Sequence, residues 1–342
     1  MKLLSLFSGI GAFEKALTNQ NIPFELVNYC EFDKYASKAY SLIHNVSELL
    51  NLGDITKINV DSLPEVNMIT YGFPCQDISL AGNMKGFTDE DGNKTRSGLF
   101  FDALDIITHT HPKVAIAENV KNLTSKRFRN QFNIVLNSLE ESGYNNYWQV
   151  LKSSDYGVPQ KRQRLFIVSI KKDIDTGVFE FPKPFRLKTN LASLLENHVE
   201  SKYYISEKMK AYAFNMIKEA KGIGFSDSVD KSFINPEIAQ TIGCRSAKGQ
   251  RSGTTNYVSD SKESMLVSDL KRSGKLESMT DIRNLTEKEC FRLQGFSDSD
   301  VEKLFGEIPS GQIYKMAGNS ITVDVLEELF CMMFDENGDL YL

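Results

Sequence analysis

Through residues 1–170, short apolar runs alternate with segments whose apolar positions recur every three or four residues. Leu3 to Phe7, Glu25 to Cys30, Val66 to Tyr71 and Val114 to Ala117 read as buried strands. Between them, Ala12 to Asn19, Asp33 to His44, Leu99 to Thr108 and Phe128 to Ser142 carry the helical period. This β-α-β-α order predicts a mostly parallel sheet covered by helices on both faces, a Rossmann-like, doubly wound α/β fold. Tyr147 to Lys152 and Leu165 to Ile170 then predict a hairpin-like pair at one edge.

From about Asp173 the pattern breaks. Pro182 and Pro184 punctuate the chain, and residues 222–275 are rich in Gly, Ser and Thr with little periodicity. A linker followed by a smaller, irregular, β-rich domain is predicted. The helical period returns at Thr286 to Leu293, where Thr286 and Glu289 have capping-box spacing, and again at Thr322 to Met333. The expected division is residues 1–184 plus 311–342 in one domain and 185–310 in the other.

Composition adds little to this picture. With 342 residues, 41% of them hydrophobic and 25% charged, the chain can bury its own core, and disorder, collagen and coiled coil are excluded. No apolar run reaches about 18 residues and none follows Met1, so neither a membrane span nor a secretory signal is expected, and the cytoplasm is the expected compartment. The cysteines Cys30, Cys75, Cys244, Cys290 and Cys331 are odd in number and form no Cys-x-x-Cys, which predicts reduced thiols and no metal site. Charge is more informative. The net charge is -5, yet Gln240 to Lys275 holds seven Lys or Arg against three Asp or Glu. Lys121, Lys126, Arg127 and Arg129 also cluster without an acid among them. Positive charge is local, which is what matters for a nucleic-acid partner.

Four segments carry candidate chemistry. Phe7-Ser8-Gly9-Ile10-Gly11-Ala12-Phe13-Glu14 joins a strand to a helix, and its two glycines allow a tight turn and close approach of a ligand. Glu31, near the end of the next strand, suits ribose hydroxyls, and Asp54 could accept from an adenine amine. Together these suggest a nucleoside site, although a Gly-containing strand-to-helix turn is as often purely structural. Glu14 stands at the third-glycine position of the dinucleotide pattern, which weakens a nicotinamide-dependent reading. Gly72-Phe73-Pro74-Cys75-Gln76 follows a strand directly, where a parallel sheet binds ligands, and the long loop after it favours a reactive Cys75 over a small buried hydrophobe. Glu118, at the end of the next strand, could donate a proton if burial raises its pKa, though an acid there is more often solvated or a helix cap. Arg162 and Arg164, two residues apart before Leu165, would share a strand face and could clamp a carboxylate, phosphate or carbonyl; a solvated basic edge is the alternative.

In this order, Phe7 to Glu14, Gly72 to Gln76, Glu118 to Val120, Gln160 to Arg164, Arg283 to Phe296 and Gly318-Asn319-Ser320-Ile321 resemble the motifs of the cytosine-5 DNA methyltransferases of bacterial or phage modification type. Six motifs in the family's order make coincidence implausible. The resemblance implies the S-adenosylmethionine-dependent methyltransferase fold with a target-recognition domain. It makes Cys75 a nucleophile toward cytosine C6, gives Glu118 the base's N3 and Arg164 its O2, and has Arg162 help hold Glu118 and the catalytic loop. Phe7 would stack on adenine, Glu31 bind ribose and Asp54 meet the adenine amine; Ser8, Gly9, Gly11, Ile55, Pro74, Asn319 and Ser320 would complete the cofactor pocket. The target base would be flipped out, with Gln76, Ser79 and Arg96 on the closing loop and Gln240, Thr241, Arg245, Lys248 and Arg251 toward DNA. Further implications are S-adenosylhomocysteine as product, duplex DNA as partner, a separately acting restriction endonuclease, a monomeric state and no membrane. The rivals are a tRNA cytosine-5 methyltransferase and a non-catalytic DNA-binding protein of the same fold.

Overall fold

The computed structural model describes residues 1–74, 87, 95–215, 233–244, 256–335 and 337–341. The predicted alternation forms a six-stranded sheet of β1 (Lys2–Leu6), β2 (Glu25–Cys30), β3 (Met68–Tyr71), β4 (Val114–Val120), β5 (Tyr144–Lys152) and β6 (Gln163–Lys171) in the order β2-β1-β3-β4-β6-β5. β1 to β4 are parallel to one another, whereas β6 runs antiparallel to both β4 and β5. The Rossmann-like, mostly parallel α/β fold is therefore present, and the antiparallel β5–β6 pair, with β5 outermost, is the hairpin-like pair expected at one edge. Strand alternation explains why it holds together: Leu4, Leu6, Ile69, Tyr71, Ala115, Ala117, Leu165 and Ile167 bury one face. Against it pack Phe100, Ala103 and Ile107 of α3 (Phe100–Thr110) and Phe132, Val135 and Leu139 of α4 (Arg129–Glu141). The intervening Leu3, Met68, Val114, Ile116, Phe166 and Val168 are equally buried on the other face. A parallel sheet covered on both faces is what near-continuously apolar strands require.

Local signals set the helix ends. α1 (Ala12–Asn19) buries Phe13, Ala16 and Leu17, and Phe13 meets Phe330 of the helix Val323–Cys331. α2 (Lys34–His44) starts where Asp33 Oδ1 accepts from Tyr35 N and Ala36 N, at 2.9 and 3.3 Å, satisfying amides that the helix leaves unpaired. No described helix is long and apolar enough to cross a membrane.

The described residues form two compact units, Met1–Lys152 with Gln163–Pro184 and Val323–Leu342, and Ser153–Arg162 with Phe185–Thr322. Residues 153–162 and 311–322 pack with the second unit. Contacts that no local pattern announces hold the latter segment there. The helix Ser310–Asn319 lies against Glu287–Arg292, and Tyr314 donates its hydroxyl to Leu285 O at 2.7 Å. Among its described residues the second unit holds two two-stranded antiparallel sheets and several short helices, in keeping with the smaller, irregular domain expected there. One of its cores gathers Phe214, Ile234, Tyr257, Val267, Leu270, Leu276 and Ile282. The capping box forms as the spacing predicts: Thr286 N donates to Glu289 Oε2 at 2.8 Å, and Glu289 N to Thr286 Oγ1 at 3.2 Å. Buried Arg283 meets the same Glu289 with two hydrogen bonds of 2.8 Å.

Candidate active site

β1 lies between β2 and β3, so the chain reverses its direction of winding there, and the crevice outside the carboxyl ends of the parallel strands is the place for a ligand. Four segments of the first unit end there: Phe7 to Gly11, Glu31 to Asp33, Gly72 to Pro74 and Glu118 to Val120. The candidate residues are brought together by topology, not by proximity in sequence.

Glu31 organises the first two segments. Its Oε2 accepts from Gly9 N at 2.9 Å and its Oε1 from Asp33 N at 2.7 Å. Ser8 ties the turn to β2, since its amide donates to Cys30 O at 3.1 Å and its hydroxyl to Ser5 O at 2.9 Å. Gly11 caps α1 at φ 76°, and a Cβ there would come within 2.1 Å of His44 Nε2, so only glycine fits. Phe7, half-buried against the core, sits at φ 53°, an unfavourable region for an aromatic residue and one often found at binding sites.

Asp54 caps a short 3-10 turn, Ile55–Lys57, its Oδ1 accepting from Thr56 N at 3.1 Å and Thr56 Oγ1 at 2.8 Å. Those hydrogen bonds hold its carboxyl below the usual range, so it is a charged acceptor at neutral pH. Ile55 is buried beneath it. Cys30 is pushed up to about 12, first by burial and then by the charges of Glu31 and Asp54, which makes it a poor thiolate.

Glu118 and Arg164 form the second half of the arrangement. Glu118 stands opposite Phe166 and Val120 opposite Arg164 in the β4–β6 ladder, so Glu118 and Arg164 are diagonal neighbours on one face. Arg164 Nε lies 2.8 Å from Glu118 Oε1, with both side chains largely shielded, and Arg164 Nη1 donates to Gln163 O at 2.8 Å. The pair faces the strand end that leads to Cys75. A Cβ built on Gly72 would be 3.6 Å from Glu118 Oε2, and Asn119 Nδ2 donates to Phe73 O at 3.1 Å. Pro74 is half-buried there, while Cys75, Gln76, Ser79, Arg245, Lys248 and Arg251 and the side chain of Arg96 lie outside the described residues.

Arg162 has a set of backbone partners of its own. The ion pair to Glu118 comes from Arg164, and Arg162 belongs to the second unit, where its guanidinium, 2% exposed, donates to Ile242 O, Gly318 O and Ser320 O at 2.5 to 3.2 Å. β6 begins at Gln163, so strand alternation does not extend back to Arg162, and the two arginines do not share a strand face. Gln160 continues the same buried network, giving Nε2 to Leu293 O at 2.6 Å and receiving Ile242 N on Oε1 at 3.0 Å. Asn319 is exposed and Ser320 buried at the end of the helix Ser310–Asn319. Gly318 abuts the backbone of Gly243, 2.2 Å from where its Cβ would stand. Gln240 is bound through its backbone by Asn256, at 2.7 and 3.0 Å, and Thr241 donates its hydroxyl to Lys161 O at 3.3 Å.

Sequence reasoning missed three residues. Asn51 Oδ1 accepts from Glu31 N and Gly53 N, both at 2.9 Å, and so joins the ribose and adenine candidates. Asn119 ties β4 to the Cys75 strand end. Phe32, 80% exposed beside Glu31, offers an aromatic face at the crevice rim; an aromatic next to an acid at a strand end was the signal available.

Residues 1–334 match the family model for C-5 cytosine-specific DNA methylases. The chain is 31% identical to the orphan methyltransferase M.SPRI of Bacillus phage SPR, with 96% of each covered. It is also 31% identical to the type II methyltransferase M.HhaI of Haemophilus parahaemolyticus, over 96% of this chain and 92% of that one. Among solved structures, the Entamoeba histolytica methyltransferase EhMeth superposes with a TM-score of 0.75 at 18% identity, covering 97% of each chain. The S. pombe Dnmt2 methyltransferase gives 0.74 at 21% identity, covering 96% of this chain and 97% of that one. At these identities the superpositions speak for the fold.

Proposed function

The chain belongs to the C-5 cytosine-specific DNA methylase family, and from that premise we propose that it transfers a methyl group from S-adenosylmethionine to C5 of a cytosine in duplex DNA. The observation that carries this reading is the Glu118–Arg164 ion pair at 2.8 Å, set against the Gly72 to Pro74 strand end from which Cys75 follows. Cytosine C5 is a poor nucleophile. Adding the Cys75 thiolate to C6, while Glu118 protonates or hydrogen-bonds N3, gives C5 enamine character and lets it attack an electrophilic methyl. Loss of the C5 proton and expulsion of the thiolate then restore the base and free Cys75. Arg164 orients Glu118 through Nε, and its Nη2, without a partner among the described residues, suits the cytosine O2. The base must leave the stack to reach these groups, at a cost of a few kcal/mol that pocket contacts offset.

S-adenosylmethionine supplies, when bound, a sulfonium-activated methyl. The crevice residues fit its nucleoside: Glu31, held by the Gly9 and Asp33 amides, sets a carboxylate at the end of β2 of the kind that accepts from ribose hydroxyls, with Phe7 and Phe32 as aromatic surfaces nearby. Asp54 would take the adenine amine, and Asn319 and Ser320 the methionine part. The second unit would read the DNA sequence, with Gln240, Thr241, Arg245, Lys248 and Arg251 as contacts. A monomer, paired in function with a separate endonuclease, completes the proposal.

Bisulfite sequencing of plasmid DNA from cells expressing the protein is the direct test. Protected cytosines confined to one sequence context are expected; full conversion in active preparations would refute the reading. Glu31→Ala should weaken S-adenosylmethionine binding by roughly 1 to 3 kcal/mol in calorimetry, because it removes ligand contacts and also releases the Gly9 and Asp33 amides. Asp54→Ala should cost less, since its backbone role is confined to its own turn. Equal affinity for wild type and both variants would show the pocket to be misplaced.

A further inference from the structure

We propose that Lys121, Lys126 and Arg129 form a phosphate-binding ridge that holds the DNA backbone beside the target nucleotide, apart from the sequence-reading unit. This rests on the DNA-methyltransferase reading above. The ridge starts at Lys121, three residues after Glu118 and directly past the end of β4. Lys121 Nζ donates to Gln163 Oε1 at 3.1 Å, and Gln163 adjoins Arg164, so the ridge continues directly from the Glu118–Arg164 pair.

The segment is held rigidly although its cations are exposed. Two 3-10 turns, Lys121–Thr124 and Lys126–Phe128, lead into α4, and Leu123 and Phe128 anchor them in the sheet core at 0% and 2% exposure. Lys121, Lys126 and Arg129 are exposed between these anchors, and among the described residues no carboxylate pairs with any of the three. The first turn of α4 contains no acid and its cap residue, Phe128, has no side-chain acceptor, so the positive end of the helix dipole adds to the same face. Three exposed cations on an anchored segment, with no carboxylate partner among the described residues, in a chain whose net charge is -5, match a polyanion that follows a path along a surface. Duplex phosphates at the edge of the target-base site are that polyanion, and such contacts position the DNA without reading its sequence.

The test compares wild type with the triple variant Lys121→Ala, Lys126→Ala, Arg129→Ala, measuring affinity for cognate and scrambled duplexes over a series of salt concentrations. Each lost phosphate contact should reduce the slope of log affinity against log salt by about 0.9, so a loss of about 2 to 3 is expected, equal for both duplexes. S-adenosylmethionine affinity should be unchanged, which reports that the variant is folded. An unchanged slope in a wild-type-like fold would overturn the ridge and leave the methyltransferase reading intact. A slope that changes only for the cognate duplex would also overturn it, since backbone contacts cannot tell sequences apart. A change seen with structured RNA and not with duplex DNA would overturn the assignment of the partner. If wild type itself neither binds nor methylates duplex DNA, the functional reading fails, and the ridge with it.

Discussion

Cys75→Ser is expected to abolish methyl transfer while leaving S-adenosylmethionine and DNA binding nearly intact. A serine hydroxyl is far less acidic than a thiol, so the variant cannot supply the anion that must add to C6. The buried cysteines Cys30 and Cys290 offer no replacement. Cys30 is held at about 12 by burial and by Glu31 and Asp54, and its Sγ is within 3.2 Å of Gly53 O; Cys290 is pushed well up by complete burial. A duplex carrying 5-fluorocytosine at the target should therefore trap the wild-type enzyme at Cys75, because fluorine cannot leave as the proton does. Peptide mapping of the trapped complex checks this directly. Modification at any other cysteine, or turnover by the serine variant within tenfold of wild type, would remove Cys75 from the mechanism.

Arg162→Ala should have the largest effect on stability, on the order of 3 to 5 kcal/mol, because it strands buried acceptors and opens a cavity. The guanidinium serves three backbone carbonyls from two segments, Ile242 and Gly318 with Ser320, and no neutral side chain of that reach can replace its fan of donors. Arg162→Lys keeps the charge with one point of donation and should recover only part of the loss. Denaturant unfolding of both variants gives the ordering, alanine below lysine below wild type. The predicted consequence differs from that of Arg164, whose replacement should spare stability and lower turnover by freeing Glu118. If Arg162→Ala unfolds at the wild-type midpoint but loses activity, its place is in catalysis, as the motif resemblance implied.

These two arginines show where sequence and structure part. Both lie in one short motif, and their spacing puts them on one strand face only if the strand reaches back to Arg162. Only the ladder decides that β6 starts at Gln163, leaving Arg164 diagonal to Glu118 and sending Arg162 into the second unit. The elements themselves were legible. α1 spans Ala12–Asn19 as the periodicity predicts, β2 spans Glu25–Cys30, and the Thr286–Glu289 capping box forms from its spacing. Each depends on interactions within a few residues or on a face that must be buried, and both leave a period in the chain. The doubly wound order was legible for the same reason, since alternating strands and helices leave few ways to cover a sheet.

What the sequence could not supply was anything fixed by contact between distant segments. The order β2-β1-β3-β4-β6-β5 places the reversal beside β1, and that choice gathers Glu31, Gly72 and Glu118 at one crevice. Asn51 and Asn119 were missed because each works by bonding a backbone atom far along the chain, at separations of 20 and 46 residues, and a backbone partner carries no side-chain signature. The assignment of residues 311–322 to the second unit follows the same rule, as it is made by Tyr314 reaching Leu285 O and Gln294 reaching Ala317 O. By itself the sequence determined which residue types are available and the local elements that carry them, because propensity, capping and periodicity act over a few residues. Tertiary structure alone decided which of those residues meet, because that depends on strand order and on long-range hydrogen bonds to atoms every residue shares.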